Sequence, residues 1–376
     1  MIRDLLVQYL ESLSELDGRY TQIKCINYTP ATGDKKGVFS LVFKAYDPSE
    51  DSSVALKFFD PEMMAITYRA LAFEREPEIL KPLIGKRRCL QLVQPMQTHT
   101  WKYDATLSLP VKYFAVKWLD GEVEEVFQQQ ELYDSIDKLR VFLDITSAIE
   151  AVHRVGLFHR DIKPDNLRFY TKMGRRIVVL IDMGTAARLD TQPIMPDYQQ
   201  PVGALFYSAP EAYCGLSGHR EVAGFTDFYA LGCLLYELFN PDLFGAVMTR
   251  NPAYGPVLAA CSIDLLARRP ADRIQAWDTI ARRFRHAVPP PPLDSTGTTV
   301  PPSVATALTE LLHSLVKFDY SERAKDFEWI RGRVLRAIYN LGNERMRARL
   351  LTQRRIAREN RLAKLQRRRQ LAERTA

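Results

Sequence analysis

Cysteine is scarce and scattered in this chain. Its five cysteines (Cys25, Cys89, Cys214, Cys233, Cys261) are odd in number and form no Cys-x-x-Cys pair. That excludes a disulfide framework and a thiolate zinc site, and it points to a reducing compartment. No run approaches the about eighteen consecutive apolar residues that suit a membrane helix. The N-terminus, Met1-Ile2-Arg3-Asp4-Leu5-Leu6, continues as an acidic, amphipathic stretch without the apolar core of a secretory signal. No internal repeat is visible. The expectation is a soluble, cytoplasmic protein with no transmembrane segment.

Acidic residues are nearly missing from the end of the chain. Eleven Arg and one Lys against three Glu give residues 343–376 a net charge of +9, which leaves −2 for residues 1–342 out of +7 overall. The body is near neutral and the basicity sits in the tail. Hydrophobic residues make up 46% of the 376, which excludes wholesale disorder and allows one large two-lobed domain, or one domain plus an extension.

The texture changes along the chain. Leu5, Leu6, Tyr9, Leu10 and Leu13 form a helical pattern that ends near Asp17-Gly18. Short β-type runs follow at 22–28, 38–46 and 54–59, then a helix at 62–76 and strands near 90–93 and 113–118. After Gly121 the pattern is mostly helical. Phe142, Ile145, Ile149 and Val152 share one helix face, and Gly156 stands where a C-terminal cap belongs. A hairpin at 167–170 and 177–181, an apolar helix at 228–239, a proline-rich linker or extended loop at 288–302 and helices at 304–317 and 327–341 complete the body.

The octapeptide His159-Arg160-Asp161-Ile162-Lys163-Pro164-Asp165-Asn166, followed by Asp182-Met183-Gly184, carries the chemistry. The Asp161 carboxylate suits orienting a hydroxyl and accepting its proton. Lys163, two residues on, suits neutralising a transferring phosphoryl group. Asn166 and Asp182 are hard oxygen donors of the kind Mg²⁺ takes, with phosphate and water as its other ligands.

These residues resemble the eukaryotic-type (Hanks-type) protein kinase family, and the Lys after Asp161 resembles its serine/threonine branch. The resemblance implies an α+β, two-lobed kinase fold with a small β-rich N-lobe and a larger helical C-lobe. It implies a division into an N-terminal helical extension (1–19), N-lobe (20–120), C-lobe (121–342, longer than usual near 245–305) and basic helical tail (343–376). It further implies ATP and Mg²⁺ as cofactors and a protein as substrate.

By the same resemblance, Lys57 of Val54-Ala55-Leu56-Lys57 clamps the nucleotide phosphates and pairs with a helical carboxylate. Glu76 is assigned to that role. Glu74 is the alternative, because Pro77 follows Glu76 at once and a proline inside a helix costs about 3 kcal/mol. Either the helix ends or kinks there, or Glu74 is the partner. Gly37 and Val42 match the glycine-rich loop over the phosphates, but Lys35 and Ser40 stand at its other glycine positions, and Lys35 and Lys36 are expected to compensate by charge. Val116 corresponds to the gatekeeper, with Ala55 and the backbone of Lys117 and Leu119 around the base. Arg168 stands where an apolar floor is usual, through either a shifted strand register or an altered base pocket.

Met183 replaces the family's Phe. Gly203 to Glu211 matches the substrate-docking segment, with Ala204 in place of the usual Thr, an absence that either loosens the geometry of Asp161 and Lys163 or marks regulation. Asp227 matches the brace of the catalytic loop, and Arg323 the partner of Glu211. Arg160 implies an activation segment ordered by phosphorylation, with Thr185, Thr191 and Tyr198 as candidates. The tail reads as a helix continuing from the last lobe helix, either a solvated helix or a docking arm for an acidic partner, a nucleic acid or an anionic surface. The competing reading of the whole chain is a non-catalytic kinase-like scaffold.

Overall fold

The computed structural model describes residues 2–37, 40–104, 106–172, 174–190, 194, 201–217, 219–294 and 299–375. Thr191 and Tyr198 lie outside them. The upper lobe is a five-stranded antiparallel sheet of β1 (Thr21–Cys25), β2 (Ser40–Asp47), β3 (Ser52–Phe59), β4 (Leu92–Lys102) and β5 (Ser108–Lys117), in the order β1-β2-β3-β5-β4. Side chains alternate strictly along β2, so Leu41, Phe43 and Ala45 are buried while Val42 and Lys44 face the other way. The register pairs Val42 with Lys57 and Ala55 with Val116, which stacks the expected nucleotide residues across three neighbouring strands.

One face of the sheet is closed by helix α1 (Ile2–Ser12), whose Leu6, Val7 and Leu10 are fully buried against Phe43, Phe58 and Tyr113. The N-terminal helix is therefore part of the upper core. It ends at Ser12, whose hydroxyl donates to the Tyr9 carbonyl, and the left-handed Asp17 and Gly18 form a separate turn before β1. The β4–β5 hairpin is longer than the sequence suggests, since most of its polar outer residues show no apolar run. Trp101, Leu109 and Val111 in that outer half complete the same cluster.

Helix α2 (Thr67–Leu80) packs on the other face. It begins later than the pattern at 62–76 implies, because Asp60 caps a separate turn at Pro61–Met63. It also runs through Pro77 without ending there. Burial of Ile79 and Leu80 in the main core supplies the offset for the missing backbone donor.

The lower lobe is helical. Helix α3 (Ser135–His153) is capped by Asp134, which accepts from the Ile136 and Asp137 amides, and it buries Phe142, Ile145, Ile149 and Val152. The hairpin β6 (Leu167–Lys172) and β7 (Arg175–Leu180) follows. Helix α4 (Arg220–Glu237) forms the buried axis, and α5 (Phe244–Arg250), α6 (Tyr254–Leu266), α7 (Arg273–Phe284) and α8 (Pro302–Leu315) surround it. The long stretch near 245–305 thus contributes helices whose Leu265, Trp277 and Ile280 enter the core. Helix α9 (Phe327–Thr375) starts in the lobe, with Ile330, Val334, Ala337 and Leu341 buried on one face, and continues into the tail. One apolar cluster spans both lobes, from Phe73 and Phe114 to Val334.

Candidate active site

Lys57 and Glu76 meet between the sheet and α2. The ammonium lies 2.8 Å from each oxygen of Glu76 and 3.2 Å from Oδ1 of Asp182. Glu74 turns outward instead, to Lys112 at 2.5 Å, so the partner is Glu76. Helix periodicity explains the choice. Ala72, Phe73 and Glu76 share the buried face, which leaves Glu74 outside.

Burial works against the charge on Lys57, but Asp182 and Glu76 outweigh it and hold its pKa above the usual lysine range. Burial, with the nearby Asp182 charge, raises Glu76 despite Lys57. Asp182 is lowered, Lys57 overcoming the effect of burial. The Met183 amide donates to Glu76 Oε1 at 3.1 Å, tying the Asp182 loop to α2, and the Met183 side chain is fully buried. Asp182 itself has a left-handed backbone (φ 62°).

The catalytic-type loop hangs on Asp227, near the middle of α4. Its carboxylate accepts from the His159 amide at 2.8 Å, the Arg160 amide at 2.7 Å and His153 Nε2 at 2.7 Å. Asp161 follows, its side chain 11% exposed. Its Oδ2 accepts from Asn166 Nδ2 at 2.9 Å and lies 3.6 Å from Lys163 Nζ, while Oδ1 accepts from the Ala204 amide at 2.7 Å. The lack of a threonine hydroxyl at Ala204 therefore leaves no gap at Asp161, since a backbone amide holds the carboxylate. Gly203 makes this approach possible: its φ is +88°, and a Cβ there would sit 2.5 Å from the Arg160 carbonyl oxygen.

Arg160 is held largely by backbone carbonyls. It donates to the Thr185 carbonyl at 2.8 Å and the Ser217 carbonyl at 2.9 Å. Thr185 is buried and its hydroxyl donates to the His159 carbonyl at 3.1 Å, so it packs behind the loop rather than presenting an acceptor hydroxyl. The docking segment is anchored by Glu211 and Arg323, both fully buried and joined by two parallel bonds of 2.5 and 2.7 Å.

Other residues depart from the expectation. Lys35 does not compensate for a missing glycine near phosphate. It is drawn to the buried Asp60 carboxylate, which Arg3 also binds. Lys36 reaches to within 3.8 Å of Glu124 from an exposed position. Gly37 keeps a left-handed backbone (φ 83°). Asn27, outside every recognisable motif, clamps this loop by donating to the carbonyls of Lys36 and Ser40 and accepting from the Val42 amide.

At the hinge the Lys117 amide donates to the Gln91 carbonyl at 2.9 Å, and its side chain bonds Tyr170. Val116 and Ala55 are buried. The β6–β7 pairing runs without a bulge. Leu167 pairs with Leu180 and Arg168 with Val179, and Arg168 also stands opposite Glu122. Arg168 is thus on the face opposite Leu167 and Phe169, its guanidinium bonded to the Asp165 and Leu167 carbonyls and 3.7 Å from Glu122.

The family model for the protein kinase domain matches residues 35–330. The chain belongs to the protein kinase family. Among curated relatives, the serine/threonine-protein kinase PknD of Protochlamydia amoebophila is 26% identical over 266 residues, covering 60% of this chain and 25% of that protein. Serine/threonine-protein kinase Pkn1 of Myxococcus xanthus is 25% identical over 285 residues, covering 71% of this chain and 38% of the relative. Extracellular signal-regulated kinase 2 of Dictyostelium discoideum is 25% identical over 297 residues, covering 77% and 73%. The chain therefore spans only a quarter of the length of PknD. Two of these relatives are named as serine/threonine kinases. No helix among the described residues is long and apolar enough to cross a membrane.

Proposed function

We propose that this kinase domain is catalytically active and transfers the γ-phosphoryl group of ATP to serine or threonine hydroxyls of a protein. The observation that carries the reading is the Lys57 ammonium bridging Glu76 and Asp182. Such a link holds the sheet, α2 and the metal-binding loop in one arrangement, with positive charge where phosphates lie. Asp161, fixed by Asn166 and the Ala204 amide, orients the acceptor hydroxyl and takes its proton as the new O–P bond forms and the bond to ADP breaks. Lys163 stabilises the charge on the transferring group. Ala55, Val116 and the Lys117–Leu119 backbone border the base, and Gly37 and Val42 roof the phosphates.

The donor set suits Mg²⁺. The Asn166 amide nitrogen is used by Asp161, which leaves its oxygen as a donor, and the Asp182 side chain is about one-third exposed (36%). Two such donors fit an ion held by few protein ligands and completed by phosphate and water.

A second reading, a kinase-like scaffold, is favoured by Lys35, which is tied to Asp60 and withdrawn from the phosphate loop. Incubation with γ-labelled ATP, Mg²⁺ and a generic protein acceptor separates the two. Wild type should incorporate label and Asp161→Asn should lose it by a factor of at least about 10³, with nucleotide affinity retained. Equal incorporation in both would make the scaffold the better account. The basic tail is read as a docking arm for polyanions.

A further inference from the structure

The end of β3 gathers charge that the catalytic residues do not use. Asp60, one residue past the strand, is fully buried. Its carboxylate accepts from Arg3 Nε at 3.0 Å and Nη2 at 2.8 Å, from the Glu62 amide at 3.1 Å and from the Lys35 ammonium. Arg3 belongs to the first turn of α1. It also meets Glu62 at 2.9 Å and lies over the Tyr28 ring, 5.1 Å from its centroid. The Tyr28 hydroxyl in turn donates to Asp4.

These contacts bear on the segment that roofs the phosphates. Tyr28 and Thr29 pair with Lys35 and Asp34 in a short antiparallel ladder just before Gly37. Beyond Gly37 the chain enters β2 at Ser40, which stands opposite Phe59 of β3. Lys35, on the other arm of the loop, reaches Asp60, the residue after Phe59. Both arms are therefore fastened to the end of the strand that carries Lys57. Backbone pairing holds Ser40, and a side-chain ion pair holds Lys35. Asp60 also caps the Pro61–Met63 turn that precedes α2, the helix carrying Glu76.

A buried carboxylate keeps the cations that neutralise it. Moving the Lys35 ammonium to a phosphate would leave Asp60 with Arg3 alone, and Arg3 is already shared with Glu62. Desolvation thus favours Lys35 as an anchor at Asp60 over Lys35 as a phosphate ligand. Arg3 holds Asp60 from the far side, which links α1 to the loop.

We propose that Arg3, Asp60 and Lys35 are positioning residues for nucleotide binding, through which α1 holds the loop above the phosphates of ATP. This rests on reading Gly37 and Val42 as the nucleotide roof and adds what fixes that roof in place.

The test titrates the full chain calorimetrically with Mg²⁺ and adenylyl imidodiphosphate, a non-hydrolysable ATP analogue, and measures KM and kcat alongside. Lys35→Met, Asp60→Asn and Arg3→Met should each weaken analogue binding about 5- to 10-fold and raise KM for ATP in parallel, with kcat within about twofold of wild type. Lys35→Met combined with Asp60→Asn should bind no more weakly than the worse single variant, because both remove one anchor. Arg3→Lys, which keeps the charge, should bind more tightly than Arg3→Met. Tighter binding by Asp60→Asn beside weaker binding by Lys35→Met would overturn the proposal, since Lys35 would then serve the phosphates directly and Asp60 would restrain it. Unchanged affinity in Arg3→Met, with a lowered melting temperature, would reduce the cluster to a structural role. Should Asp60→Asn fail to fold, Lys35→Met and the two Arg3 variants still decide. Analogue affinity is read without turnover, so a wild type that binds the analogue yet transfers no label defeats the catalytic reading alone. A wild type that binds no analogue removes both.

Discussion

The Lys57 ammonium sits equidistant from the two oxygens of Glu76, at 2.8 Å, although Pro77 follows Glu76 directly inside α2. The pair is buried, so each charge depends on the other for its solvation. Removing one partner costs far more than the net worth of the pair.

Glu76→Gln and Glu74→Gln form a contrast. We expect the first to lower kcat/KM about 10- to 100-fold, because Lys57 would swing toward Asp182. We expect the second to change it less than about twofold, since the Glu74–Lys112 pair is half exposed. Phosphotransfer assays on both variants, beside thermal melts, decide it. Equal effects would mean that the buried pairing has no catalytic role.

Gly203→Ala places a methyl group 2.5 Å from the Arg160 carbonyl oxygen and 2.9 Å from Asp161 Oδ1, at a backbone angle that alanine disfavours. The expected result is a loss of about 1–3 kcal/mol of stability and a drop in kcat with nearly unchanged nucleotide affinity. Calorimetric ATP binding beside turnover measures the split. Unaltered turnover would show that the loop adapts.

Arg323→Ala strands the fully buried Glu211 carboxylate without its cation. A destabilisation of about 3–5 kcal/mol is expected, read as a lower urea midpoint. Glu211→Leu combined with Arg323→Met should recover much of the loss. A single-variant midpoint within error of wild type would contradict the buried pair.

Glu237 is buried under Tyr207, whose hydroxyl donates to it at 2.7 Å. Burial raises its pKa from 4.5 to about 7. The folded state therefore holds the proton more tightly than the unfolded chain. The stability this group contributes is complete below about pH 4.5 and is lost as pH rises toward and through 7. Glu237→Gln should flatten that decline and stabilise the protein at pH 8, by up to roughly 3 kcal/mol. Denaturation at pH 5 and pH 8 tests it, and identical pH dependence in both proteins would refute it.

Motif residues were readable where one local segment carries both the chemistry and its spacing. The loop from His159 to Asn166 and the Asp182-Met183-Gly184 turn are of this kind, and so is the docking segment ending in Glu211. Lys35 was misread as a phosphate-loop cation because its partner, Asp60, is 25 residues away and buried only after α1 packs on the sheet. The length of β4 and β5 was hidden because most outer residues are polar and only Trp101, Leu109 and Val111 face the core.

By itself the amino-acid order determined the two-lobed kinase architecture, the identity of the charged groups and the concentration of arginine in the tail. The architecture came through the resemblance of its motifs to the kinase family, the other two from local sequence alone. The tertiary structure decided between Glu76 and Glu74 and retained the helix through Pro77. It also brought the Ala204 backbone amide to Asp161 where the family commonly offers a threonine hydroxyl, and freed residues 344–364 from the body. Those outcomes depend on which distant groups share a buried volume, and desolvation makes a charge or amide settle on the partner that packing brings to it.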